Sequence, residues 1–155
     1  NEILYNEPLA STKIEEGLIP FGKARILKQG SDVTIVSYGI GIKHALQAIP
    51  IAEKEGISIE LIDLRSLRPL DYESVFSSVK KTNRCITIEE CFPVCSIGNH
   101  LSASIMENVF DYLDAPVINL SGKDVPMPYA KNLEKEALVT MDEILSAIKK
   151  VTNGQ

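Results

Sequence analysis

Residues 33–56, VTIVSYGIGIKHALQAIPIAEKEG, hold one complete strand-and-helix unit and decide the fold class. The first six residues are mostly apolar and β-branched, which is typical of a buried strand. Apolar residues then recur at helical spacing, at Ala45, Leu46, Ile49 and Ala52. Gly56 supplies a stop signal, and Pro50 is expected to kink the helix. The stretch therefore predicts a strand followed by an amphipathic helix.

Three further apolar runs have the same character, and helix-length segments separate them. They are ISIELID (residues 57–63), CITIEE (85–90) and PVINL (116–120). Asp71 is a plausible N-cap for the second helix, and Thr140 with Glu143 has capping-box spacing for the last one. The short segment 23–28 can add an edge strand. This alternation predicts an α/β fold with a parallel sheet covered by helices on both faces.

The helix expected over residues 97–113 carries more apolar surface than sheet packing requires. One stripe contains Ile97, Leu101, Ile105, Val109 and Tyr112. Met106, Phe110 and Leu113 lie roughly 100° away around the helix. The apolar arc is therefore wider than packing on the sheet alone requires.

Length and composition describe one globular domain. The chain has 155 residues, 45% of them hydrophobic, with 16 basic against 21 acidic side chains. These values favour neither nucleic-acid binding nor disorder, and no apolar run is long enough for a membrane helix. Residues 1–20 lack a periodic pattern and are predicted to be a linker or the end of a preceding domain. The domain itself is placed at residues 21–155, as a piece of a longer protein.

The carboxyl ends of the predicted strands are the first place to look for a ligand site. Gly39 and Gly41 resemble the start of a phosphate loop, but His44 occupies the third glycine position. A tight turn into the helix is an equally sufficient reason for these glycines. Arg65 and Arg68 follow the second strand and suit either an anion or ion pairs with Asp63 and Asp71. An independent anion-binding domain therefore stays open as an alternative.

The remaining reactive side chains do not form a catalytic arrangement. Glu89 and Glu90 are adjacent in a strand and point to opposite faces, so we expect at least one to be structural. The cysteine spacing C-x5-C-x3-C matches neither a zinc site nor a disulfide framework, which favours free thiols. Cys95 and His100 could meet at a helix start, but no orienting group accompanies them. No catalytic, cofactor-binding or metal-binding residue is predicted.

Three stretches carry a family resemblance: LIPFGKARILKQGSDVTIVSYG (residues 18–39), DLRSLRPLDYESVFSSVKKTNRCITIEE (63–90) and FDYLDAPVINLSGKDVPMPYAKNLEK (110–135). Over residues 18–151 the chain resembles the C-terminal domain of the beta subunit of thiamine-diphosphate-dependent 2-oxoacid dehydrogenases, most closely pyruvate dehydrogenase. The LDAP and DVPMPYA motifs are the most specific part. The resemblance implies a three-layer, transketolase C-terminal-like fold with a five-stranded, mostly parallel sheet, in which the strand near residues 23–28 is an antiparallel edge.

The resemblance also implies the chemistry of the whole enzyme. That chemistry is oxidative decarboxylation of pyruvate and transfer of acetyl to a lipoyl group, with thiamine diphosphate and magnesium held between alpha and beta subunits. The family's catalytic glutamate and histidine lie in the N-terminal domain of the subunit. This chain alone is therefore expected to bind no cofactor and to be inactive. The branched-chain 2-oxoacid dehydrogenase beta subunit is the nearest alternative.

The implied partners are the alpha subunit, a second beta subunit and the subunit-binding domain of dihydrolipoamide acetyltransferase. Asp114, in LDAP, is the predicted contact for basic groups of the acetyltransferase, with a turn ahead of Pro116 as the alternative. Met127 and Tyr129, with Val125, are predicted to contact a neighbouring subunit, unless their segment folds back onto its own sheet.

Two expectations follow from the resemblance alone. The mitochondrial matrix is the expected compartment, with the bacterial cytoplasm as the alternative. Cys91 replaces a glycine that is common in the family, and a left-handed backbone there would be strained in this chain.

Overall fold

Within residues 18–153, the part of the chain that the computed structural model describes, five strands form one mixed sheet. The strands are β1 (Arg25–Lys28), β2 (Val33–Ser37), β3 (Ile59–Asp63), β4 (Cys85–Ile88) and β5 (Ile118–Leu120). Their order across the sheet is β1-β3-β2-β4-β5. β1 pairs antiparallel with β3, and the other pairs are parallel. The predicted sheet, with its antiparallel edge strand, is confirmed.

Helices cover both faces of this sheet. They are α1 (Ile40–Lys54), α2 (Tyr72–Thr82), α3 (Ile97–Val109), α4 (Lys131–Ala137) and α5 (Met141–Asn153). α1 and α5 pack on one face, and α2 and α3 pack on the other. The three-layer arrangement is therefore confirmed. α4 is missing from the prediction, because its sequence KNLEKEA has no apolar period and its N-cap, Ala130, makes no side-chain cap.

Two apolar clusters, one on each face, stabilise the layers. Ile35 and Leu61 lie in the cluster under α1 and α5, whereas Val36 and Ile62 lie in the cluster under α2 and α3. Neighbouring strand residues therefore serve opposite faces, and every residue of β2 is buried. Each fully buried aliphatic side chain contributes about 1.5–3 kcal/mol relative to exposure.

The predicted helix starts are confirmed. The Asp71 carboxylate accepts a hydrogen bond from the backbone N–H of Ser74 at 3.2 Å. Thr140 and Glu143 form a reciprocal capping box: the Thr140 N–H donates to the glutamate at 2.8 Å, and the Glu143 N–H donates to the threonine hydroxyl at 3.3 Å. Pro50 lies inside α1, which continues for another turn.

The predicted helix over residues 97–113 ends earlier than expected. α3 stops at Val109, and a 3-10 turn follows at Phe110–Tyr112. Leu101, Ile105 and Val109 are buried as predicted, but Tyr112 is 47% exposed. The backbone leaves helical geometry at Val109, where φ is -142° and ψ is 24°, so Tyr112 does not continue the buried stripe and the prediction for this residue was wrong. Met106 and Phe110 are exposed, so the surplus apolar surface is present.

The loops at the two ends of the parallel strands form two edges of the domain. We define the carboxyl edge as the segments 64–71, 89–96 and 121–130, together with residues 18–24, because β1 runs antiparallel to its neighbour. The amino edge contains the segments 29–32, 55–58, 83–84 and 113–117.

Both outer strands of the sheet are short or irregular. β5 has three residues, all partly buried. β1 has four residues, and its register with β3 shifts between Ile26 and Lys28. These strands offer little regular backbone for a further strand to pair with.

Most of the predicted linker at residues 1–20 lies outside the described residues, as do residues 154–155. Among the helices of residues 18–153, none is long and apolar enough to cross a membrane.

Candidate functional site

β2 and β4 are parallel neighbours at the centre of the sheet, and the connections that follow them lead toward opposite edges of the sheet. This topological switch point therefore lies between β2 and β4. α1 leads from β2 toward β3, whereas α3 leads from β4 toward β5. Ligands of open α/β sheets bind in a crevice at the carboxyl ends of such strands. In this chain the crevice is almost closed, with a cavity of about 10 Å³ beside Tyr38, Glu89 and Gly98.

The Glu89 carboxylate closes this crevice. It is 2% exposed and accepts hydrogen bonds from the Gly98 backbone N–H at 2.9 Å, the Tyr38 hydroxyl at 3.1 Å and the Cys91 thiol at 2.9 Å. Gly98 is in the first turn of α3, where an external anion would otherwise bind. The chain's own carboxylate takes that place. The expectation that one of the two glutamates is structural fits this geometry.

The environment of Glu89 also changes its neighbours. Burial, followed by the hydrogen bond to Glu89 and its charge, raises the pKa of the Cys91 thiol to about 11. Burial and the Glu89 charge raise the pKa of Tyr38 well above its ordinary value. Both groups therefore keep their protons near neutral pH and serve as hydrogen-bond donors, and a high thiol pKa makes Cys91 a poor nucleophile.

The glycines that suggested a phosphate loop have structural roles. Gly39 has a φ of 58° and turns the chain into α1. A Cβ on Gly41 would lie 2.3 Å from the Ser37 hydroxyl and 3.1 Å from the Ile88 carbonyl oxygen. Gly41 is therefore needed for close packing of α1 on the sheet, and the turn interpretation is the one that the geometry supports.

Arg65, one of the two arginines after β3, also serves the fold. The Arg65 guanidinium donates to the carbonyl oxygens of Lys23 and Ala24, each at 3.1 Å. Asp71, expected as an arginine partner, instead accepts from the Ala24 N–H at 3.0 Å and caps α2. Arg65 thus fastens the segment before β1 to the β3–α2 connection.

The cysteines are free, as predicted, and no group of three His, Cys, Asp or Glu side chains within residues 18–153 could hold a metal ion. His100 contacts the Tyr72 hydroxyl on α2. The expected backbone strain at Cys91 was wrong: among the described non-glycine residues, φ is positive at Arg65, Asn83 and Cys95. The Cys91 carbonyl accepts a hydrogen bond from the Gly122 N–H at 3.0 Å, and its thiol donates to Glu89 at 2.9 Å.

Asp114 lies on the amino edge. Its carboxylate pairs with the Arg84 guanidinium at 2.9 Å, and its backbone N–H donates to the Asn83 carbonyl at 2.9 Å. The Asp114 side chain is 55% exposed. It is therefore both a loop anchor, as in the turn interpretation, and accessible to a partner.

Met127 and Tyr129 lie on the carboxyl edge, in the segment between β5 and α4. Met127 is 51% exposed and Tyr129 is fully exposed, with Val125 also exposed. The structure thus separates the predicted partner-binding residues: Asp114 precedes β5 and the other two follow it, at opposite ends of the strand.

Further exposed apolar residues, not predicted from the sequence, lie on the carboxyl edge. Phe21, Phe92 and Val94 are all solvent-exposed. The bond from the Gly122 N–H to the Cys91 carbonyl places the loop that carries Phe92 and Val94 next to the segment that leads to Met127. The sequence did contain a signal for these exposed residues: a run of apolar residues around a proline, located in a connecting segment rather than in a strand.

A second buried carboxylate was also missed. Glu60, in β3, is 1% exposed and pairs with Lys81 of α2. The Ser78 hydroxyl donates to it at 2.5 Å, and Ser78 in turn contacts the Thr34 hydroxyl at 2.7 Å. Thr34 also contacts the Thr82 hydroxyl at 2.7 Å. This cluster ties α2 to the sheet.

Comparison with known proteins identifies the family. The family model "Transketolase, C-terminal domain" matches residues 22–144. The chain belongs to this family. A solved split-gene transketolase, described as an inactive beta4 tetramer, superposes with a TM-score of 0.76 at 28% identity, over 89% of this chain and 44% of that one.

The curated relatives are beta subunits of the pyruvate dehydrogenase E1 component. The protein from Rhizobium meliloti is 48% identical over 97% of this chain and 33% of its own length. The Rickettsia bellii protein is 50% identical over 97% of this chain and 46% of its own length. A mitochondrial rice protein is 49% identical, with 97% and 41% covered. The transketolase C-terminal domain thus spans from a third to less than half of these relatives.

Proposed function

We propose that this chain is the C-terminal domain of a pyruvate dehydrogenase E1 beta subunit, and that it serves assembly and docking. The observation that carries the proposal is the closure of the usual ligand crevice by Glu89, combined with exposed contact residues on both edges. The similarity to E1 beta subunits over 97% of the chain supports the identity of the enzyme. The enzyme would decarboxylate pyruvate oxidatively and pass acetyl to lipoyl groups.

The residues of this chain do not fit a thiamine diphosphate site. The described part offers no cluster of metal-ligating side chains, and its switch-point cavity holds about 10 Å³. Under the proposal, thiamine diphosphate and magnesium are held elsewhere in the heterotetramer. The domain alone is therefore expected to have no pyruvate dehydrogenase activity.

The carboxyl edge is the proposed assembly surface, toward the alpha subunit or a second beta subunit. Exposed Phe92 and Val94 lie on a loop that is bonded to the segment carrying Met127 and Tyr129. Large apolar and aromatic side chains are enriched at the centres of protein interfaces. Pro126 and Pro128 limit the backbone freedom of the segment, which reduces the entropy lost on association.

Assembly can be tested with the full-length subunit, co-expressed with its alpha subunit. We expect Met127→Ser/Tyr129→Ser to weaken heterotetramer formation at least about tenfold, because central interface truncations commonly cost 2 kcal/mol or more. Leu46→Ser/Ile51→Ser is the control, since both residues are exposed apolar side chains on α1, away from the carboxyl edge. Equal heterotetramer yields from the two double variants, measured by sedimentation velocity, would refute the assembly role.

The amino edge is the proposed docking surface for the subunit-binding domain of dihydrolipoamide acetyltransferase. Asp114 is half-exposed and can accept charge-assisted hydrogen bonds from arginine or lysine groups. Asp114→Asn should weaken docking and reduce its salt dependence. Unchanged affinity in Asp114→Asn, measured by calorimetry at two salt concentrations, would remove Asp114 from the interface.

The compartment is proposed as the mitochondrial matrix, on the strength of mitochondrial relatives from rice and Dictyostelium discoideum. Bacterial relatives are about equally similar, so the bacterial cytoplasm is the alternative.

A further inference from the structure

Two consecutive residues hold Asp114 in place on the amino edge. Arg84 binds its carboxylate through Nη2 to Oδ2 at 2.9 Å, and the Asn83 carbonyl accepts its backbone N–H at 2.9 Å. Asn83 has a left-handed φ of 61°, and its side-chain amide donates to the Tyr112 carbonyl at 2.7 Å. The loop before β5 is thus fastened to the α2–β4 connection through both backbone and side chain.

The ion pair uses one oxygen of Asp114 and one nitrogen of Arg84. The Arg84 side chain is 27% exposed against 55% for Asp114, and the Arg84 Nε atom is buried without an acceptor in the described structure. Among contacts of the described residues, none engages Oδ1 of Asp114. A carboxylate has about four acceptor sites. Oδ1 can therefore receive a second cation while Oδ2 stays on Arg84.

We propose that Arg84 is a positioning residue for docking: it fixes the Asp114 carboxylate so that Oδ1 faces a cationic group of the partner. This inference rests on the proposed docking role of Asp114 and adds a residue to it. A side chain that is already ordered loses less conformational entropy when the partner binds. The Arg84 contact therefore lengthens the lifetime of the complex without touching the partner.

The positive charge of Arg84 repels a cationic partner and therefore slows its association, whereas the contact between Arg84 and Asp114 slows dissociation. Charges near an interface change mainly the association rate, whereas well-fixed contacts change mainly the dissociation rate. Loss of Arg84 should consequently leave association as fast or slightly faster, and dissociation faster. A general folding defect would instead reduce the fraction of protein that binds.

Lys80 provides a matched control. Its ammonium lies 5.2 Å from the centre of the Tyr112 ring, so it belongs to the same surface, but Asp114 pairs with Arg84 rather than with Lys80. Lys80→Met and Arg84→Met remove the same charge. A difference in dissociation rate between the two variants reports on the Arg84 contact alone.

The test uses the full-length subunit assembled with its alpha subunit, and the purified subunit-binding domain of dihydrolipoamide acetyltransferase as the probe. Arg84→Met should raise the dissociation rate about fivefold, the usual cost of ordering one side chain on association. Arg84→Lys should restore part of this loss, because it keeps the charge and one donor. Lys80→Met should leave the dissociation rate unchanged within about twofold, as expected for an exposed charge.

A second comparison separates this inference from the docking proposal. In an Asp114→Asn background, Arg84→Met should add nothing, since a positioning residue acts only through the residue it positions. If Asp114→Asn speeds dissociation but Arg84→Met does not, the role of Arg84 is refuted and docking at Asp114 stands. If Asp114→Asn itself has no effect, both are refuted.

Discussion

Glu60 and Glu89 are both buried in the sheet, but they are accommodated in different ways. Glu60, in β3, receives the Lys81 ammonium and the Ser78 hydroxyl. Glu89, just after β4, receives neutral donors: a helix N–H, a tyrosine hydroxyl and a thiol. The first carboxylate is compensated by an opposite charge, and the second by oriented dipoles at the start of α3.

The difference shows that a buried carboxylate at a strand end is not by itself evidence of catalysis. Glu89 lies where an α/β enzyme binds a ligand, yet its carboxylate accepts hydrogen bonds from donors of the domain itself. Glu60 is bound to α2 by Lys81 and Ser78, and the Gly30 N–H donates to it at 3.4 Å, but only Lys81 supplies a compensating charge. The two carboxylates should therefore respond differently to loss of one partner.

The largest expected effect is at Glu60. Lys81→Met leaves this 1% exposed carboxylate without its cation, and the free energy of unfolding should fall by about 3 kcal/mol. Urea denaturation measures this change. Lys80→Met, on the exposed side of the same helix, is the control and should change stability by no more than about 1 kcal/mol, the value of its exposed cation–π contact with Tyr112. Equal effects of the two variants would contradict charge compensation at Glu60.

An intermediate effect is expected at Glu89. Tyr38→Phe removes one of its neutral donors while the Gly98 N–H and the Cys91 thiol remain. The unfolding free energy should fall by about 1 kcal/mol, the usual net value of one hydrogen bond. A loss as large as that of Lys81→Met would mean that Glu89 depends on the Tyr38 hydroxyl as strongly as Glu60 depends on its cation, and the contrast between the two sites would be wrong.

The smallest effect concerns pH. The pKa of Cys91 is raised from 9.0 to about 11, so the folded protein holds this proton at pH values where the unfolded chain releases it. The stabilising contribution is complete below pH 9 and is lost as the pH rises toward about 11. Because the thiol is largely exposed, the contribution should be under about 1 kcal/mol. In Cys91→Ser, urea denaturation should show a shallower loss of stability over this interval, and an identical slope in both proteins would rule the contribution out.

Local patterns in the sequence predicted the layers of the fold well, but they could not predict which side chains distant in sequence contact each other. The strands and the caps at Asp71 and Thr140 depend on neighbouring residues, so spacing is enough to predict them. α4 escaped because it is short, polar and starts without a side-chain cap. Its helix is set by surrounding structure rather than by periodicity.

The candidate site was predicted only in part. The exposure of Met127 and Tyr129 follows from a proline-rich segment, which the sequence displays directly. The separation of these residues from Asp114 needed the direction of β5, and the Arg84 contact joins positions 30 residues apart. Glu60 was missed because a single polar residue in an apolar strand does not indicate which distant lysine it pairs with.

The short β5 and the irregular β1 limit the ways in which copies of the domain can meet. A regular outer strand would let sheets from different molecules join side by side and grow into aggregates. β5 has only three residues and β1 has a shifted register, so neither edge of the sheet favours such strand pairing. Association is thereby left to side chains on the helices and connecting loops, where a single substitution can change the choice of partner without disturbing the sheet.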